Sequence, residues 1–287
     1  MSSENQLPLA PINTAIDASV QRNVTIVMGV IAAATLIFAL VWWARTGRPT
    51  FLLLFIAGGL MMLFEPMVDT VGAVWFPKEG SNVAFTLYGR PIPVWLCFTY
   101  FVYFGLGVSS AYLVLRRRAT PGVLWALWGA AMLGDFVLEA TLLHFDTYIY
   151  YGDQPLVLAK FPLWWAPVNG LIVVVTATVV YRFDAELRGV RTLLIVPIAL
   201  TCSAAVNAAA GWPSWLVLNS EMGWVPRQLG GLASWALAAW FVHLLGTYCL
   251  DTTSERRIAS ARERPSKLGG RRAAPSSRGR VGAPAGR

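Results

Sequence analysis

Residues Val24–Ala44 read VTIVMGVIAAATLIFALVWWA, 21 consecutive positions without a charged side chain. A helix of that length rises about 30 Å at roughly 1.5 Å per residue, which is the thickness of the hydrocarbon core of a bilayer. No polar face recurs along it, so it lacks the amphipathic pattern of a helix at a soluble surface. Six further apolar runs follow, at about 51–72, 93–115, 122–143, 162–181, 192–211 and 229–250. Only helices and closed barrels satisfy backbone polar groups inside lipid, and runs this long are helical. The chain therefore reads as an all-α polytopic transmembrane bundle of about seven spans. Composition points the same way: 56% of residues are hydrophobic and 13% charged, against about 25% charged in a soluble domain.

Charge then orients the bundle, because cytoplasmic loops retain an excess of Lys and Arg. One set of alternate loops plus the carboxyl-terminal segment holds 18 of the 23 basic residues, including Arg45, Arg48, Arg116 to Arg118, Arg182, Arg188 and Arg191. The other set holds Arg22, Lys78, Arg90, Lys160 and Arg227. The expected topology is amino terminus outside, carboxyl terminus cytoplasmic, in a multi-pass protein of the cell membrane. Three parts follow: a polar segment at 1–22, the seven-helix domain at 23–252, and a basic cytoplasmic tail at 253–287. The tail is Arg, Pro, Ser, Gly and Ala with few large apolar residues, so it cannot offset the entropy of ordering and reads as disordered. Its expected partners are anionic lipid headgroups, at about 1 kcal/mol per nearby basic residue. No nucleic-acid-binding module is recognisable. The first 22 residues carry only Arg22 as a basic charge, so no cleavable signal is expected and the first helix reads as an anchor.

Two spans carry acids. Glu65 and Asp69 lie four apart in the second, Asp135 and Glu139 four apart in the fourth, and that spacing places each pair on one helix face. A charged carboxyl at mid-bilayer costs at least about 2.5 to 3.5 kcal/mol unless neutralised, paired or hydrated, and marks function by default. The plainer reading is that these acids cap helix ends near the interface or bond a neighbouring helix. With the topology above, all four fall in the outer half of their helices, as do Thr99, Tyr100, Tyr103, Asn169 and Asn207. One cavity opening outward is expected, with Pro66 kinking the second helix and Gly58, Gly59, Gly105 and Gly107 allowing close packing. The three outer connections read as loops of roughly 16 to 20 residues, and long ordered loops tend to carry function. Their tryptophans, among them Trp164, Trp165, Trp212 and Trp215, can equally form an interfacial belt.

His144 and His243 are the only histidines, too few for a His-rich metal centre, and no Cys–His spacing suggests zinc. His144 can tune Glu139, though an interfacial histidine is the simpler reading. Lys78, Lys160 and Lys267 all lie outside the spans, which excludes a retinal Schiff base. Cys97, Cys202 and Cys249 fall in apolar runs and read as core residues. No phosphate-cradling glycine motif or diphosphate-binding acidic motif is present. No metal and no cofactor are expected.

Three stretches, FEPMVDTVGAVWFP at Phe64–Pro77, YYGDQPLVLAKFPLWWAPVNG at Tyr150–Gly170 and NAAAGWPSWLVLNS at Asn207–Ser220, resemble segments of the spirocyclase AveC-like integral membrane proteins of actinobacteria. The similarity runs from about 51 to 250. The family's namesake closes a dihydroxy ketone into a spiroketal during polyketide biosynthesis, so the resemblance implies cyclisation of a lipophilic substrate in secondary metabolism without a redox cofactor. It implies no residue roles.

Roles are read from chemistry instead. Paired carboxyls can supply an acid and a base to one substrate. The expected catalytic residues are Glu65 as acid and Asp135 as its charged partner, then Asp69 and Glu139. Tyr100, Tyr103, Asn169 and Asn207 are expected to orient substrate oxygens, with Trp164 or Trp165 shielding a cationic intermediate. The same acids suit a membrane terpene or carotenoid cyclase, a proton-coupled transporter, or a non-catalytic lipid-binding protein. Oligomeric state is left open.

Overall fold

The computed structural model describes residues 9–250. Seven of its helices are long and apolar enough to cross a membrane: α1 Ala18–Thr46, α2 Thr50–Gly72, α3 Val94–Arg117, α4 Pro121–His144, α5 Trp165–Arg182, α6 Gly189–Leu218 and α7 Trp224–Leu250. They form an all-α bundle, and seven crossings put the ends of the described chain on opposite faces. The expected disordered tail at 253–287 lies outside the described residues.

Helix limits follow local chemistry. Asp17 accepts hydrogen bonds from the amides of Ser19 and Val20, so α1 starts at Ala18, six residues before the uncharged run. The polar segment at 1–22 is thus shorter than expected, because capping rather than hydropathy sets the boundary. Gly47, at φ 66°, ends α1 with its amide turned back to the Trp43 carbonyl. Thr120 caps α4 ahead of Pro121, a first-turn position where proline's missing N–H costs nothing.

α5 is the central helix, packed against α3, α4, α6 and α7, and it is buried on almost every side. Gly58 of α2 lies against Gly105 of α3, where the backbones come close enough to exclude any side chain. Such close approach supplies the van der Waals contact that holds helices together in lipid, where burial from water contributes little. Toward the Arg-rich end the bundle is filled by Leu54, Val108, Val174, Ala177, Val180 and Ile195, none more than 1% exposed.

The face opposite the Arg-rich end is capped by three two-stranded antiparallel ribbons that the hydropathy reading does not anticipate. β1 (Val74–Trp75) pairs with β4 (Ile149–Tyr150), β2 (Val83–Leu87) with β3 (Arg90–Pro93), and β5 (Val157–Leu158) with β6 (Phe161–Pro162). The β2–β3 turn is Tyr88–Gly89, both at positive φ, the two-residue geometry whose twist matches a hairpin.

The third outer connection is a correction. Residues 212–218 continue α6, leaving only 219–223 before α7. The span read as ending at 211 runs on because a π-helical segment at Asn207–Gly211 shifts the hydrogen-bond register just ahead of Pro213. A proline can sit within a membrane helix where such a local adjustment accommodates its missing N–H.

Candidate functional site

Three helices leave α geometry at one level. In α2 a 3-10 turn, Met61–Phe64, delivers the chain to Glu65 and Pro66. In α3 a π segment, Phe101–Leu106, follows Tyr100 and contains Tyr103. In α6 the π segment begins at Asn207. Non-α turns of this kind tend to mark functional positions, and here they surround one cavity.

That cavity is lined by Glu65 and Asp69 from α2, Tyr100 and Tyr103 from α3, Asp135 and Glu139 from α4, Asn169 from α5 and Asn207 from α6. Three of the four carboxyls have hydrogen-bond partners of their own. The Tyr100 hydroxyl donates to Glu65 Oε2. The Asn169 amide donates to both Asp135 oxygens, at 3.3 and 3.1 Å, and fixes the carboxyl plane. Tyr148 and Tyr150 both donate to Glu139 Oε2, the second at 3.0 Å. Asp69 is 1% exposed, and its Oδ2 has no partner. Tyr103 donates to the Ala131 carbonyl at 3.1 Å, tying α3 to α4. Burial, and then the charge of Glu139, push the Tyr150 phenol well above its ordinary range, so it stays protonated and donating at neutral pH.

The roof is aromatic. Phe76 packs against Trp95 and Tyr148, with ring centroids 5.7 and 5.2 Å apart. Trp165 lines the wall and stacks on Trp164 at 4.1 Å. Trp164 itself is not at the cavity, which corrects the expectation that it shields a substrate. It is fully buried behind Trp165, its Nε1 donating to Gln154 Oε1 at 3.3 Å. It is therefore a support for its neighbour. Four buried polar atoms of the lining have no hydrogen-bond partner: Asp69 Oδ2, Asn207 Oδ1, and the indole nitrogens of Trp95 and Trp165. A buried polar atom left without a partner typically costs about 1 to 3 kcal/mol, so these four are groups that water or a bound molecule in the cavity can satisfy.

The cavity leaves about 70 Å³ for the centres of water-sized molecules. At roughly 10–15 Å³ per water on that measure it holds on the order of five waters. A larger substrate requires the helices or the cap to part. Among the described residues no three His, Cys, Asp or Glu side chains are grouped to hold a metal ion.

Sequence reading missed Tyr148, Tyr150, Trp95 and Arg90. Arg90 lies outside the acids, donating to the Val74 carbonyl at 2.8 Å and the Tyr151 hydroxyl at 2.6 Å and stacking over Trp75 and Tyr151. It is the cation whose charge reaches Asp69. The one available signal was the aromatic run Tyr148, Tyr150, Tyr151 directly after the helix that bears Asp135 and Glu139. His144 is exposed against Phe145, away from the cavity, as an interfacial histidine would be.

No family model, no curated protein and no solved structure matches this chain.

Proposed function

We propose that this chain is a multi-pass cell-membrane cyclase or isomerase, amino terminus outside, that closes a lipophilic polyketide- or terpenoid-like substrate by acid catalysis without a cofactor. The observation that carries the reading is the meeting of four carboxyls, three with different partners and Asp69 with none, in one aromatic-roofed cavity within the bundle. The resemblance to spirocyclase AveC-like proteins supports it in one respect. The three stretches that bear the resemblance each supply lining: Glu65 and Asp69 from the first, Tyr150, Trp165 and Asn169 from the second, Asn207 from the third.

In a spiroketal closure Glu65, held by Tyr100 through Oε2, presents a proton from its other oxygen to the ketone. One substrate hydroxyl attacks the carbonyl carbon and its proton passes to Glu65, giving a hemiketal and restoring the acid. Glu65 then protonates the hemiketal oxygen, which leaves as water, and the oxocarbenium ion that forms is stabilised by nearby aromatic faces and carboxylates. The second hydroxyl closes the other ring and gives its proton to Asp135, from which it returns to Glu65 for the next cycle. Two carbon–oxygen bonds form, the carbonyl oxygen departs as one water, and no electron leaves the substrate.

All four carboxyls lie on one side of the apolar layer formed by Leu54, Val108, Val174, Ala177, Val180 and Ile195, which supports chemistry over proton-coupled transport, since carriers of protons place ionisable groups along the whole path. The test is to incubate purified protein in lipid nanodiscs with a lipophilic dihydroxy ketone and weigh the recovered substrate. Cyclisation yields a product one water lighter. Recovery at unchanged mass, with accumulation across vesicles that follows a pH gradient, would replace the reading with transport.

A further inference from the structure

A second cavity lies at the Arg-rich end, where α1 meets α2 and α5 meets α6, with about 220 Å³ open to water-sized molecules. Arg48 and Arg188 line it, with Thr50, Asp184, Gly189 and Thr192. It sits at the ends of the spans, which is headgroup depth in a bilayer. From this geometry we infer that it is a binding site for the phosphate of an anionic phospholipid, an inference independent of the cyclase reading.

Charge comes first. Arg188 has no carboxylate partner among the described residues, and Arg48 approaches Asp184 only to 3.7 Å while 45% exposed. Such a pair contributes little, and Arg48 is free to turn toward a phosphate. Asp184, the acid in the lining, already accepts a hydrogen bond from the Tyr112 hydroxyl, which holds it against α3. Arg45, Arg116, Arg117, Arg118, Arg182 and Arg191 share this end of the bundle, with Asp184 and Glu186 as its acids among the described residues, so an anion gains from the surrounding field. Basic pockets between membrane helices recognise anionic headgroups in this way. The apolar neighbours select a lipid over a free phosphate. Val190, Leu193 and Leu194, in the first turns of α6 beside Gly189 and Thr192, are 80%, 59% and 51% exposed. They offer acyl chains a surface contiguous with the arginines.

The test uses the full chain in detergent, titrated with short-chain phosphatidylglycerol, phosphatidylcholine of the same chain length, or inorganic phosphate. Saturable binding of phosphatidylglycerol is expected, at least tenfold tighter than either alternative. Arg48→Gln with Arg188→Gln is expected to weaken it about 30-fold, from two basic contacts. Arg117→Gln with Arg118→Gln, which removes equal charge and leaves the same tail, is expected to change it less than threefold. Equal losses in the two double variants would overturn the site in favour of diffuse attraction. Equal binding of inorganic phosphate would overturn the lipid. A second pair guards against misfolding. Gly189 sits at φ 57° in open space, where Asn and Asp are the side chains best tolerated. Gly189→Asp is expected to lose at least tenfold in affinity relative to Gly189→Asn, and equal affinities would contradict the site.

Discussion

An alanine at Gly58 would carry its Cβ 2.3 Å from the Gly105 amide nitrogen and 2.4 Å from its Cα. Ordinary contact is about 3.5–4.0 Å, so α2 and α3 must separate by more than 1 Å, because the obstacle is backbone and no side chain can swing aside. The separation loosens Phe55 on Phe101, whose centroids are 5.1 Å apart, and the bond from Ser109 Oγ to the Phe51 carbonyl at 3.2 Å. Overpacking of this kind costs about 1–3 kcal/mol, beyond the roughly 1 kcal/mol by which alanine favours the helix itself. At about 2–4 °C per kcal/mol for a domain of this size, the midpoint of thermal unfolding in detergent should fall by about 2–12 °C. The control is Gly107→Ala on the face of α3 turned toward α5, where the nearest atom is Val173 Cγ2 at 3.7 Å and nothing must move. That variant should match or slightly exceed the parent. Seven residues beyond Gly58, the Tyr100–Glu65 bond crosses the same α2–α3 interface, so Gly58→Ala should also lower turnover. Indistinguishable melting of the two alanine variants would refute the claim that the Gly58–Gly105 crossing sets the spacing of α2 and α3.

Three other outcomes are open to test. A reporter fused to the carboxyl terminus should read cytoplasmic and one at the amino terminus exoplasmic, and the opposite pair would invert the assigned orientation. Tyr148→Phe removes one of the two donors to Glu139 from a site 4% exposed and should destabilise by about 1–3 kcal/mol in chemical unfolding, whereas Tyr88→Phe on the exposed hairpin tip should change nothing measurable. Arg90→Gln breaks bonds to Val74 and Tyr151 and should raise amide exchange across 74–92 while leaving the Arg-rich end unchanged. Uniform exchange in both regions would show that Arg90 does not pin the cap.

The seven spans were legible because hydropathy and helix length are sufficient in lipid, and the four acids because their spacing fixes a helix face. What escaped was set by contacts between distant segments. The π segments at Phe101–Leu106 and Asn207–Gly211 shift hydrogen-bond register under packing that no local pattern reports. The sixth span, read as ending at 211, consequently runs on through Pro213 to Leu218. Trp164 and Trp165 are neighbours of identical chemistry, and only the start of α5 decides that the second faces the cavity and the first its back. Tyr148 and Tyr150 lie in a connection without periodicity, where β1–β4 pairing with Val74 and Trp75 aims them at Glu139. The ribbons turn on non-glycine residues at positive φ, Tyr88, Ala159 and Lys160 among them, which their side chains do not advertise.

The central claim is that Glu65 is the proton donor of a cyclisation within the bundle, and the rate of the Glu65→Gln variant on a lipophilic dihydroxy ketone tests it most directly. Glutamine keeps the shape and can still accept from Tyr100, but it has no acidic proton to give. With folding verified by unchanged thermal unfolding, the account predicts a loss of about 10² to 10⁴ in the rate at which the product one water lighter appears. Turnover within a few-fold of the parent would contradict it.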